Sequence, residues 1–129
     1  MKLIDRIRIA EETLEARLEE EQRQIADAHK KLDDEDRERG KQDGYNTISV
    51  IDAKILAAVD DKQTTYLHPV GRGRATSTLS PYEEGLSNYL IEHFRWEGLQ
   101  VTLEKMPLYQ GKQTVQAYDF ILKFSWQHV

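Results

Sequence analysis

Cysteine is absent from the 129-residue chain. A disulfide framework, a thiolate metal site and a thiol nucleophile are thereby excluded. Positive charge is not in excess either. The 18 Lys and Arg stand against 23 Asp and Glu, for a net charge of −5. Sequence-independent nucleic-acid binding needs clustered positive charge, so nucleic acid is not an expected partner. No apolar run approaches the roughly 20 residues of a membrane-crossing helix, and the first residues lack the apolar stretch of a secretory leader. The expectation is a protein of the cytoplasm, or of a virion, with no membrane association.

Aromatics are missing from the first third of the chain; all eleven lie at or beyond Tyr45. Of residues 1–39, 13 are acidic and 9 basic. A segment so charged and without aromatics cannot build a globular core alone. It also lacks Gly and Pro, which leaves it free to be helical. Ile4, Ile7, Leu14, Leu18, Ile25, Ala28 and Leu32 recur at steps of three and four or their sums. In a heptad frame with Ile4 at a, they fill seven of nine a and d positions; Glu11 and Glu21 occupy the other two. This pattern predicts a coiled-coil-like helix over residues 1–39. Acid-then-base pairs four apart, such as Glu19–Arg23 and Asp27–Lys31, add a few tenths of a kcal/mol each. Gly40 and Gly44 are expected to stop it. Leu3 and Ile9 widen the apolar stripe near its start and suggest contact on more than one side.

Residues 45–129 read as a small α+β domain. Ser49 with Asp52 three residues on resembles a capping box, and Ile51, Ile55 and Val59 suggest a short helix to Asp61. Thr64 to Val70 is rich in β-formers, with Pro69 near its end. Gly71–Arg72–Gly73–Arg74 reads as a loop. Ser80–Pro81–Tyr82–Glu83 is a strong helix start: Ser80 as N-cap, Pro81 at the first helical position, Glu83 closing the box. That helix should reach Glu97, stop at Gly98, and bury Tyr82, Leu86, Tyr89, Leu90 and Phe94. The period then changes to two. Leu99, Val101 and Leu103 alternate with polar residues, and Pro107 confines that strand to a sheet edge or a bulge. Gln110–Gly111–Lys112 reads as a turn. Tyr118, Phe120, Leu122, Phe124 and Trp126 then define a strand with one large apolar face. The expected fold class is α+β: a long N-terminal helix, then two helices and an antiparallel hairpin or small sheet.

A helix of residues 1–39 would be roughly 55 Å long at 1.5 Å per residue. A 90-residue domain is only about 30 Å across. Something must cover the remaining seam, and the economical answer is another copy of the chain. The oligomerisation residues are therefore expected to be Ile4, Ile7, Leu14, Leu18, Ile25 and Leu32. The plainer reading is a solvated charged helix, or a hairpin with residues 49–61.

Chemistry is sparse. His29, His68, His93 and His128 are far apart and form no ligand pair. The acidic run Asp33–Asp36 fails as an EF-hand loop, because Arg39 and Tyr45 stand where Gly and Glu are required; it reads as a solvated helix end. Nucleotide-binding glycine motifs and the nucleophile elbow are missing. Ser77, Thr78 and Ser80 have no adjacent histidine base. No catalytic, cofactor or metal residues are assigned, and no enzymatic activity is expected. Arg72 and Arg74 on a permissive backbone can present forked donors to an anion, although a flexible solvated loop is the favoured reading of them. Trp96 and Tyr109 are further contact candidates.

The primary expectation is a non-enzymatic oligomeric interaction or structural protein that pairs with itself and with another protein. Its style suits a bacteriophage accessory or virion component. The alternative is a phage-type anti-defence protein. Such a protein would hold an anionic nucleotide-like ligand with Arg72, Arg74 and Tyr66 or Tyr82, or inhibit a host protein.

Overall fold

A computed structural model describes residues 1–110 and 114–126. Five elements follow one another: α1 (Leu3–Asp60), β1 (Thr65–Arg74), α2 (Pro81–Trp96), β2 (Gln100–Gln110) and β3 (Thr114–Ser125). The three strands form an antiparallel sheet in the order β1-β3-β2. The fold class is α+β, as expected. Internal contacts divide the chain into two units, Met1–Asp34 and Glu35–Val129.

The first unit is helix throughout, apart from its first two residues. Its seam residues are exposed, and so are Leu3 and Ile9.

In the second unit the expected helix stop is not there. α1 runs through Gly40 and Gly44 without a break, so residues 49–61 are its last turns and not a separately capped helix. The acidic run Asp33–Asp36 is accordingly mid-helix. Gly40 and Gly44 are buried. A Cβ on Gly40 would collide with the Tyr82 carbonyl, with Leu86 N only 2.8 Å away. Gly85 of α2 answers from the other side, where a Cβ would strike the Arg37 carbonyl and approach its Cα to 2.9 Å. Glycines that sequence reasoning takes as terminators here let two helix backbones approach closely. The helix-propensity cost of about 1 kcal/mol per glycine is the cost of that approach.

From Gly40 onward α1 follows a new apolar frame. Gly40, Gly44, Ile51 and Ala58 are buried, and Ile48 and Ile55 pack against the core. Val59 is exposed; Ala58 takes the inward position expected of it. The old frame ends at Leu32, because its next positions are Glu35, Arg39, Gln42, Asn46 and Ser49, all exposed.

α2 begins as its sequence requires. Ser80 accepts from Glu83 N at 3.2 Å and donates its own backbone N–H to Glu83 Oε1 at 2.9 Å. Its end is also as expected: Glu97 is the C-cap and Gly98 has φ 98°. Arg95 forks over the Val101 carbonyl at 3.2 and 2.8 Å, tying the end of α2 to the start of β2. The inward stripe is Glu83, Ser87, Leu90 and Phe94, with Tyr82, Leu86 and Tyr89 half-buried.

β3 is the central strand, with β1 as a third strand beyond the expected hairpin. Pro107 lies on β2, an edge strand, where its missing N–H does no harm. The Gly71–Arg74 segment is not a free loop but the irregular end of β1, with register shifts on either side of Gly71. Gly73 there takes φ 61° and donates its N–H to Asp119 Oδ1 at 2.8 Å. Gly111, Lys112 and His128 lie outside the described residues.

The core consists of Ile51, Leu90, Phe94, Val101, Leu122 and Phe124. Phe94 meets Phe124 edge-on at 5.1 Å. Truncating Phe124 to Ala should cost about 3–5 kcal/mol. Urea denaturation reads this as a lower midpoint with an unchanged slope.

Candidate functional site

Three surfaces bear on function. The first is the seam of residues 4–32. Ile4, Ile7, Leu14, Leu18, Ile25 and Leu32 are between 42% and 59% exposed. Each is on the helix, at the spacing the sequence implies. Most of the residues around them are charged or polar, Leu3, Ile9 and Ala26 being among the exceptions.

The second is the arginine pair. Arg72 is exposed. Arg74 is not available in the same way. Its Nε lies 3.2 Å from Glu83 Oε1, in an ion pair whose angle falls short of an aligned hydrogen bond. Glu83 is buried and also holds the start of α2. Gly71 gives Glu83 its space, since a Cβ there would overlap Oε2. The sequence signals only the capping role of Glu83; its ion pair with Arg74 depends on β1 reaching α2. Tyr66 and Tyr82, the aromatics proposed beside the arginines, are engaged elsewhere. Tyr66 OH lies 3.1 Å from His68 Nδ1, and Tyr82 donates to Asp43. The bond to Asp43, followed by burial and that carboxylate's charge, raises the Tyr82 pKa against the opposing pull of Arg39.

The third was not found from the sequence. Two shallow depressions of about 310 and 460 Å³ lie where α1 meets α2, and a third of about 360 Å³ is lined by Tyr89, Glu92, His93 and Trp96 of α2. Asp52 is common to the first two and His93 to the last two. Tyr45 and Tyr89 lie 6.4 Å apart, and Tyr89 stacks on His93 at 6.4 Å. His93 Nε2 is 3.7 Å from Glu97 Oε1. Trp96 stands 82% exposed at the end of this row. Tyr109, on β2, is likewise exposed. Only the turn-by-turn registry of α1 against α2 assembles this groove, because its residues come from segments over forty positions apart.

Among the described residues, no helix is long and apolar enough to cross a membrane. In the same residues, no three His, Asp or Glu side chains gather as a metal ion would require. Ser80 is committed to the cap of α2.

His68 is half-buried on β1. Burial holds it below the usual imidazole value. The unfolded chain therefore binds more protons once the pH falls below about 6.5, and stability should decline from there downward. The loss between pH 7 and pH 5 should be smaller in His68→Gln. Equal losses in denaturation free energy for the two proteins would contradict this.

Comparison with protein-family models, with curated proteins and with solved structures finds no match to this chain.

Proposed function

We propose that this chain is a non-enzymatic, self-associating interaction protein. Residues 4–32 pair with a second copy, and the α+β unit offers a surface to another protein. The observation that carries this reading is the exposed seam: six large aliphatic side chains in one heptad frame, ending at Leu32 where the frame turns polar. An apolar stripe of this kind, repeated over four heptads, is a liability in water unless a helix covers it. Its charged flanks keep the single chain soluble without satisfying the stripe. The exposed aromatics Tyr45, Trp96 and Tyr109 support the second half of the reading, since tyrosine and tryptophan supply large contact area with a polar handle.

The alternative, an anionic-ligand binder built on Arg72 and Arg74, is weakened by the Arg74–Glu83 pair. An anion would have to compete with a buried carboxylate for the same guanidinium. Light scattering across a hundredfold range of protein concentration tests the main reading. A multiple of the 15.1 kDa chain mass is expected. A monomer throughout would refute it.

A further inference from the structure

We infer that the seam pairs two chains antiparallel, with residue i of one helix facing residue 39−i of the other. This inference rests on the self-association proposed above and adds its orientation and register. The argument begins with charge. Residues 1–9 carry Lys2, Arg6 and Arg8 against Asp5 alone. Residues 33–39 carry Asp33, Asp34, Glu35, Asp36 and Glu38 against Arg37 and Arg39. Arg37 pairs with Glu84 at 3.0 Å, and the Arg39–Asp36 pair removes one charge of each sign from that count, so the acidic excess remains. One end of the seam is therefore basic and the other acidic. A parallel pair sets like against like at both ends. An antiparallel pair sets the basic end of each chain beside the acidic end of the other.

The seam itself makes the same choice. In a parallel, in-register pair, Glu11 faces the partner's Glu11 and Glu21 faces the partner's Glu21, placing two like-charged pairs at core positions. Reversal with i facing 39−i brings Ile7 onto the partner's Leu32 and Leu14 onto the partner's Ile25. Glu11 then meets the partner's Ala28, whose small side chain leaves the carboxylate a path to water. Glu21 meets the partner's Leu18 in place of its own copy. A slip by one heptad in either direction restores a clash, setting Glu11 against the partner's Glu21 or the partner's Glu35. This register joins aliphatic to aliphatic at Ile7–Leu32 and Leu14–Ile25, sets Ile4 against the partner's Glu35 near the exposed end, keeps glutamate from facing glutamate and matches the charged ends.

The absence of cysteine makes the test clean, because one introduced thiol is the sole labelling site. Arg23 and Lys30 both occupy the outward f position of the frame, and both are exposed. Arg23→Cys and Lys30→Cys proteins, spin-labelled singly, are measured by pulsed electron paramagnetic resonance, with mass by light scattering on the same samples. In the antiparallel register the two labels are offset along the axis by about 10 Å at position 23 and about 31 Å at position 30. Because outward labels are separated well beyond the 8–10 Å between helix axes, the Lys30→Cys distance should exceed the Arg23→Cys distance by roughly 10–15 Å. Twice the chain mass with that increment supports the inference. Twice the chain mass with equal distances means a parallel pair, which overturns the orientation and leaves self-association standing. A higher mass overturns the two-chain register. A monomer overturns self-association itself, and the inference with it.

Discussion

Replacing Leu18 and Ile25 together by Asp is expected to abolish the self-association proposed for the seam and to leave the α+β unit intact. Both side chains lie on the exposed seam of the Met1–Asp34 unit. Burying each against a partner contributes about 1.5–3 kcal/mol. Losing both therefore raises the dissociation constant by at least about 100-fold, at 1.4 kcal/mol per decade. The aspartates add the cost of placing charge in an apolar seam. The core of Ile51, Leu90, Phe94, Val101, Leu122 and Phe124 lies in the other unit. Its urea midpoint, followed by tryptophan fluorescence, should move little. Light scattering decides the question. If the double variant keeps the parent's mass, the seam is not the contact, whatever else holds the chains together.

Gly40→Ala should destabilise the fold, contrary to what helix propensity alone dictates. Alanine at an exposed mid-helix glycine stabilises by about 1 kcal/mol. Here the added Cβ meets backbone: the Tyr82 carbonyl and Leu86 N at 2.8 Å. Backbone of a packed helix cannot swing aside as a side-chain tip does, so α1 and α2 must separate. Overpacking of this kind costs about 1–3 kcal/mol. Separation also weakens what depends on the close approach: the Arg37–Glu84 pair, the Tyr82–Asp43 bond and the Tyr45–Tyr89 contact. Gly85→Ala tests the same contact from α2, where Arg37 backbone is the obstacle. Denaturation midpoints measured at one protein concentration, so that assembly does not shift the result, should fall for both. A rise in either midpoint would mean that the helices are not in backbone contact.

Gly40 and Gly44 show how far a local signal reaches. A glycine after a long charged helix has the same local signature whether it ends the helix or admits a neighbour. The distinguishing information is the presence of α2 across from it, more than forty residues later. The same holds for Gly71–Arg74. Local composition reads as a loop, but the pairing of Gly71 with Phe120 and of Arg74 with Tyr118 makes it strand. The arginine pair loses its independence for that reason, since the strand delivers Arg74 to Glu83. Nothing in the sequence brings Tyr45, Asp52, Tyr89 and His93 together; Asp52 reads there as part of a helix cap and Tyr89 as part of a buried face.

What the chain determined locally is everything driven by neighbours in sequence. The heptad frame of residues 4–32 follows from the helical period. The Ser80–Glu83 cap follows from hydrogen bonds closed within four residues. The inward face of β3 follows from the two-residue alternation of a strand. Tertiary structure alone decided how far α1 runs, that β1 completes the sheet beside β3, and which charges are already paired. The helix length and the sheet order depend on contacts between residues forty or more positions apart, and the Arg74–Glu83 pair forms only once β1 is delivered to α2.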